Sequence, residues 1–342
     1  QIKLIIVGKE KELTIIDGNE RAKTFKLPIT RIIAIDDSQG EPLRVLGAED
    51  KVVGVGTSLV THDILLPEMS KLPIVGSFFK VDYEKVLSLK PDLFMTFALG
   101  YTPDAEEKLE PHGVQVLRLG CYIPTKIPED IIKLGYLIGN VDKAKEFAGF
   151  YEGYLDIIKE RTEELSEEDK PRVFVWPYYT PGGDFGTCTK NTKEGDICTI
   201  AGGINIAHDL GDSKWPKVDP EWVIMQNPDC IIACAGGGMA VGFGYDLDDP
   251  TKMKEERARI MNRPELANAN AVKNEKVYMI STDLTASGLQ DIVAIAYMAK
   301  WFHPELFTDL DPKAIHQGHI DRFLRIDYDL DKHGVFVYPE LI

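Results

Sequence analysis

Ala144, Phe147, Tyr151, Tyr154, Leu155, Ile158 and Leu165 recur at intervals that fit one helical face, with charged residues filling the other. That period predicts a single helix from Asp142 to about Ser166. Asn140 and Asp142 can start it, and Pro171 lies just beyond its charged exit. Its roughly 24 residues would run about 36 Å, enough to bridge two lobes as a stiff connector. On either side the rhythm changes. Apolar runs over Arg31–Ile35, Lys51–Val55, Leu93–Phe97 and Val114–Leu119 precede the long helix, and Arg172–Trp176, Cys230–Cys234 and Lys276–Ile280 follow it. The runs at 93–97 and 230–234 have no polar alternation, as expected of strands in a parallel sheet covered on both faces. Between the strands lie predicted helices: one beginning at Glu41, Ile127–Ile138, Ile197–Leu210, one ending near Arg257, and Leu289–Phe302. An antiparallel hairpin opens the chain over residues 11–28, around the Asp17-Gly18-Asn19 turn. Such alternation predicts an α/β protein. The expected division is an N-terminal lobe over 1–140, a connecting helix over 141–168, and a C-terminal lobe with an apolar tail over 169–342.

One pattern occurs twice. VDYEKVLSLKPD (Val81–Asp92) and VDPEWVIMQNPD (Val218–Asp229) share a helix start, a Pro-Asp exit and a strand immediately after. The offset is far longer than the roughly 20–50 residues of a solenoid repeat, so it predicts two related lobes. Asp82 and Asp219 are suited to cap the helices, and Pro220 suits the first helical position. Glu84 and Glu221 both fall at the second helical position. Taken singly, each complements the helix dipole. As a matched pair they are candidates for something more.

Composition narrows the class of work. At 342 residues with 44% hydrophobic content the chain suits two medium domains. Net charge is −16, from 39 basic and 55 acidic residues. Nucleic-acid binding, which needs a basic face, is therefore not expected. No run of about 18 apolar residues would cross a membrane. The chain opens at Gln1 rather than Met, as expected where a leader or anchor has been cut away. Cys188 and Cys198 bracket a polar loop and are candidates for a disulfide. Cys230 and Cys234, roughly 13 Å apart along one strand, cannot pair and read as core residues, and Cys121 is left single. His62-Asp63 offers metal-ligating types, but the other histidines lack zinc spacing.

In open α/β sheets, ligands sit at the loops that follow strands. Here those loops hold Thr57, Ser58 and Tyr101 in the first half and Trp176, Tyr178, Tyr179, Phe243 and Tyr245 in the second. Hydroxyls and aromatic rings suit a bulky ligand held by stacking and a few hydrogen bonds. The competing reading packs Trp176 to Tyr179 into the lobe core.

With those residues in view, the chain resembles the class III substrate-binding proteins of ABC importers, which bind ferric siderophores, haem or cobalamin. The resemblance covers about residues 13–303. It rests on TIIDGNERAKTFKLPITRIIAI, RVLGAEDKVVGVG, EKVLSLKPDL, AGGINIAHDLGDSKWPKVDPEWVIMQNPDCII and NRPELANANAVKNEKVYMI, in that order. It implies two Rossmann-like lobes with parallel sheets joined by one long α-helix, and a ligand held between them. It also implies that Glu84 and Glu221, one per lobe, meet arginines of the membrane permease. The expected protein is extracytoplasmic, monomeric, anchored at the membrane and without enzymatic activity. It would need no cofactor and would carry a metal chelate, a ferric siderophore or similar iron complex first and a corrinoid such as cobalamin second. The rival from another class is a metal-cluster enzyme on a nitrogenase-like scaffold. It would need clustered, accessible thiols, and no CxxC occurs in the chain.

Overall fold

The computed structural model describes residues 2–7, 10–98, 100–178, 185–190, 192–236, 243–286 and 288–341, with side chains from Lys11 onward. The chain divides into two compact units, residues 1–152 with 320–326, and 153–319 with 327–342.

The first unit opens with a three-stranded antiparallel sheet, β1 (Ile2–Val7), β2 (Glu10–Ile16) and β3 (Ala22–Leu27). The predicted hairpin is its second half. Its main sheet contains β4 (Ile32–Ala34) and β5 (Val52–Val55), and between them comes α1 (Asp37–Val45). A short hairpin, β6 (Gly76–Ser77) and β7 (Lys80–Val81), leads into α2 (Tyr83–Ser88) and β8 (Leu93–Phe97). Then follow α3 (Ala105–Leu109), β9 (Gln115–Leu119) and α4 (Ile127–Ile138). The sheet order is β5-β4-β8-β9, all parallel.

Helix α5 (Val141–Thr162) is 22 residues long, about 33 Å, and the boundary between the units falls within it, after Glu152. The second unit contains β10 (Arg172–Pro177), α6 (Lys193–Ile200), β11 (Ile204–Asn205), α7 (Pro220–Gln226), β12 (Cys230–Ala235), α8 (Thr251–Met261) and α9 (Asn270–Lys273). It continues with β13 (Val277–Ser281), α10 (Thr282–Thr285), α11 (Asp291–Phe302), α12 (Pro312–His319) and β14 (Val337–Tyr338). Its sheet runs β11-β10-β12-β13-β14, parallel except for β14.

The repeat thus has a structural meaning. In each unit's main sheet the first strand, β4 or β10, has the next, β5 or β11, on one side and the strand after the repeated helix, β8 or β12, on the other. Both copies are tied down alike. The Asp92 carboxylate accepts the backbone N–H of Thr30 and Arg31 at 2.9 Å, and Arg31 donates to the carbonyls of Leu89 and Lys90 at the end of α2. Asp229 accepts from the Arg172 N–H at 3.0 Å, and Arg172 donates to the Gln226 carbonyl at the end of α7. An arginine entering one strand satisfies helix-end carbonyls that have no partner within the helix. The Pro-Asp exit then fixes the register of the next strand.

Several expectations change in detail. Asp82 caps α2 by accepting from Lys85, whereas the Asp219 side chain makes no capping bond. The helix expected over 197–210 is instead α6, ending at Ile200, because Gly202 turns back at φ +86° and the chain enters β11. The tail does not belong wholly to the C-terminal half. Residues 320–326 join the first unit, where Phe323 packs on Phe147 and Phe150, and Arg44 donates to the Leu324 carbonyl.

Candidate functional site

In the first unit, the connections leaving β4 and β8 run toward opposite edges of the sheet, to β5 and β9. The carboxyl ends of those two strands therefore flank a switch point, where open α/β sheets leave a crevice. After β8 comes Tyr101. Its ring lies against Phe78 at 5.1 Å, Phe79 at 5.7 Å and Phe97 at 5.1 Å between centroids, and Phe97 reaches Tyr122 at 5.3 Å. Most of these pairs meet edge to face or tilted, the favoured geometry for aromatic quadrupoles. Phe79 sits at the tip of the β6–β7 hairpin, 78% exposed. A largely exposed phenyl packed on Phe78 and Tyr101, with Phe97 and Tyr122 behind them, is an apolar platform facing solvent.

Buried charge holds the loop that carries Tyr101. Arg118 donates to the carbonyls of Phe97, Tyr101 and Thr102, and forms a two-pronged pair with Glu106 at 2.8 and 2.7 Å. Burial pushes the Glu106 carboxyl up, but bonds from Arg118 and Arg21 more than offset this, and it ends at about 2. Tyr122 donates to the Ala98 carbonyl at 2.6 Å, and burial pushes its hydroxyl up to about 12.

The loop after β5 meets the same rim. The N–H of Thr57 donates to the Gly76 carbonyl, joining the loop to the aromatic hairpin, and Thr57 is exposed. The Ser58 hydroxyl donates to Asp36 at 3.0 Å, and Asp36 also accepts from the backbone and hydroxyl of Ser38. Burial, reinforced by neighbouring Asp37, raises Asp36 well above the ordinary carboxylate range. His62 lies 3.7 Å from Asp37. Thr57 and Tyr101 are thus available on one rim, while the Ser58 hydroxyl is taken up by an acid. The sequence reading missed Phe78 and Phe79. The signal was two adjacent aromatics between Gly76 and Lys80, where a tight turn leaves one of them outside.

The second-unit candidates need correction. Trp176 and Tyr178 are 1% and 2% exposed, and with Phe243 they belong to that unit's own hydrophobic core. Phe174, Trp176 and Tyr178 alternate onto one side of β10 and its extension. Trp176 stacks on Phe185 at 4.8 Å, with the Arg263 guanidinium over both rings. The Tyr178 hydroxyl donates to Glu256 at 2.9 Å. Tyr245 is buried too, its hydroxyl between Gln290 and His316 and its ring against Tyr328 and Phe336. These rings face their own lobe because it has enough apolar surface to cover them. Tyr179 lies outside the described residues, as does most of the 236–245 loop.

The disulfide expectation also falls. All five cysteines are free and buried. Burial raises the thiols of Cys188, Cys198, Cys230 and Cys234. Cys198 points from α6 toward Gly203, in the unit's interior rather than across a surface loop. Among the described residues, no group of three or more His, Cys, Asp or Glu is placed to hold a metal, and no helix is long and apolar enough to cross a membrane. Glu84 and Glu221 are exposed, each in the first turn of its short helix.

Comparison with known proteins adds the family dimension. The sequence profile of the periplasmic binding proteins matches residues 32–284. YvrC, an uncharacterised ABC transporter substrate-binding lipoprotein of Bacillus subtilis (strain 168), is 27% identical over 301 residues, covering 87% of each chain. A vitamin B12-binding protein of Yersinia pestis (strain Pestoides F) is 24% identical over 208 residues, 59% of this chain and 68% of its own. Among solved structures, the TroA-like periplasmic binding protein FepB from Veillonella parvula matches with a TM-score of 0.78. That match covers 95% of this chain and 98% of the other, at 22% identity, and its weight lies in the fold.

Proposed function

Because this chain belongs to the periplasmic binding protein family, whose profile spans residues 32–284, we propose that it captures a metal chelate outside the cytoplasm and hands it to an ABC permease. Proteins of this family bind solutes for transport and do not transform them. The fold and the relatives' names support the transport role, and the lipoprotein named in Bacillus supports a tether at the membrane surface.

The observation that carries the ligand reading is the aromatic rim of the first unit. Phe79, 78% exposed over Tyr101, offers a flat apolar face, with the tyrosine hydroxyl and Thr57 within the same rim. A ferric tris-catecholate is anionic, and the exposed Lys80 beside Phe79 gives the rim a cation, whereas Arg118 is buried and spent on carbonyls and Glu106. A ferric siderophore with aromatic, catechol-like arms presents rings of the right kind, and is the first ligand. A corrinoid is the second, favoured by the vitamin B12-binding relative.

A titration decides between them. The four tryptophans report binding by fluorescence while ferric catecholates, ferric hydroxamates and cobalamin are added in turn. Saturable binding of a ferric catecholate, weakened about tenfold by Phe79→Ala, is the expected result, since an aromatic contact is worth about 0.5–1.5 kcal/mol beyond its buried area. Saturation by cobalamin alone would transfer the reading to the corrinoid, and unchanged affinity in Phe79→Ala would remove the rim from the site.

A further inference from the structure

Helices α4 and α5 form an antiparallel hairpin around Gly139 and Asn140. Near the turn they close tightly, because Gly135 carries no side chain: a Cβ there would stand 2.4 Å from the Cβ of Ala144. Away from the turn they leave an open groove of about 580 Å³, within the roughly 300–1,000 Å³ of small-ligand sites. Its apolar lining comes from Pro128 and Ile132 on α4 and from Ala148 and Gly149 on α5. A glycine inside a helix is destabilising relative to alanine. Yet a Cβ at Gly149 would meet nothing within 4 Å among the described residues. Packing within the unit does not ask for glycine there; close approach by something lying in the groove does.

The groove's charges are sorted by end. Counting outward from the Gly135–Ala144 crossing, Lys133 and Lys145 lie toward the turn, and Glu129 and Glu152 lie toward the far end. Lys133 is 6% exposed and shared between Glu129 and Asp130, 2.9 Å from each. Lys145 and Glu152 are exposed, and among the described residues neither enters an ion pair. They stand on one face of α5, about 10 Å apart along its axis, too far to pair with each other. A hairpin braced for its own stability would set opposite signs side by side; here like stands beside like. We infer that this groove, which shares no residue with the aromatic rim, binds a short apolar peptide with both ends free. The peptide's carboxylate meets Lys145, backed by Lys133. Its ammonium meets Glu152, with Glu129 beside it, and its middle lies over Gly149. An extended chain covers about 3.3–3.6 Å per residue, so three residues span the charges. The groove holds more than an unbranched chain of that length, which favours a ligand with side chains over a plain ω-amino acid. A second copy laid α5 on α5 would bring together two chains of net charge −16; a peptide with free ends is neutral overall.

The test titrates the full chain with a tripeptide of alanine, leucine and alanine, followed by calorimetry and by the amide resonance of Gly149. Saturable binding that shifts this resonance is expected. Acetylating the peptide's amine or amidating its carboxylate should each weaken binding about threefold to fivefold, as loss of one exposed ion pair does. Lys145→Glu should weaken the free peptide and leave the amidated one unchanged; Glu152→Lys should do the same with respect to the acetylated one. Gly149→Leu fills the groove and should abolish binding. Its melting temperature should be no lower than the parent's, because leucine is the better helix former, and its chelate affinity should be unchanged. No saturable response, equal binding of free and blocked peptides, or binding that survives Gly149→Leu would overturn the site. An ω-amino acid of equal span that binds as tightly would overturn the peptide as occupant. Self-association that Gly149→Leu dissolves would overturn it in favour of a second copy.

Discussion

Tyr178 has its hydroxyl on the buried Glu256 and its ring against Trp176, so its value lies in stability. Tyr178→Phe should cost about 1–3 kcal/mol by leaving Glu256 short of a donor, and Tyr178→Ala about 3–5 kcal/mol, while chelate affinity holds within twofold. Denaturant melts alongside ligand titration check this; affinity lost without stability would return Tyr178 to the binding site. Asp36 makes a pH prediction. Its folded carboxyl is raised above the ordinary 3.8 by burial and by Asp37, so the folded state holds a proton that the unfolded chain releases. Stability therefore falls as pH rises from about 3.8 toward the folded value. Asp36→Asn keeps a side chain able to cap α1 and removes that titration. The variant's melting temperature should decline less across the same range, and a slope as steep as the parent's would refute the assignment. At this scale the sequence yielded residue types but not burial. Both Trp176 and Tyr101 follow strands, and only packing sends one into a core and leaves the other on a rim.

Secondary elements were legible wherever a period persisted. The long helix was expected from Asp142 to about Ser166 and runs from Val141 to Thr162; most of the continuous apolar runs are strands. Legibility failed where two glycines interrupt a helical pattern. The apolar spacing of Ile197, Ala201 and Ile204 fits a helix to Leu210, but Gly202 adopts a left-handed turn and Gly203 lies against Val173 and Phe302. A side chain at position 202 would meet His303 and Thr162 at 2.9 Å. Gly202→Ala should accordingly destabilise by more than about 1 kcal/mol, from backbone strain and contact together. A melting temperature equal to the parent's would mean that the α6–β11 turn is not fixed as described. The hairpin carrying Phe79 escaped notice for the opposite reason. Strands two residues long leave no period to read.

Across the whole molecule, the repeat offset alone predicted two related α/β lobes, and each unit's main sheet indeed sets its first strand between the next strand and the strand that follows the repeat. What the offset could not reveal were the arginines that complete each copy. Arg31 lies 58 and 59 residues before the carbonyls it binds, and Arg172 lies 54 before Gln226, distances over which no local pattern survives. These ties fix the α2 and α7 helices, and so the carboxylates they present, to rigid sheets. Glu84 and Glu221 are exposed, and neither appears among the ion pairs within the described residues. Carboxylates held outward on rigid supports suit recognition by basic groups, whose attraction acts mainly on association. Reversing both, Glu84→Arg with Glu221→Arg, should abolish chelate uptake by cells or proteoliposomes carrying the permease. Chelate affinity should remain within a few-fold, because the aromatic rim is untouched. Each single reversal should give intermediate uptake. The parent's association should weaken as salt is raised through about 0.1–0.5 M, where screening shortens the reach of surface charge. If the double variant instead lost its chelate and its uptake together, the two glutamates would belong to the ligand site, and the matched helices would need another explanation.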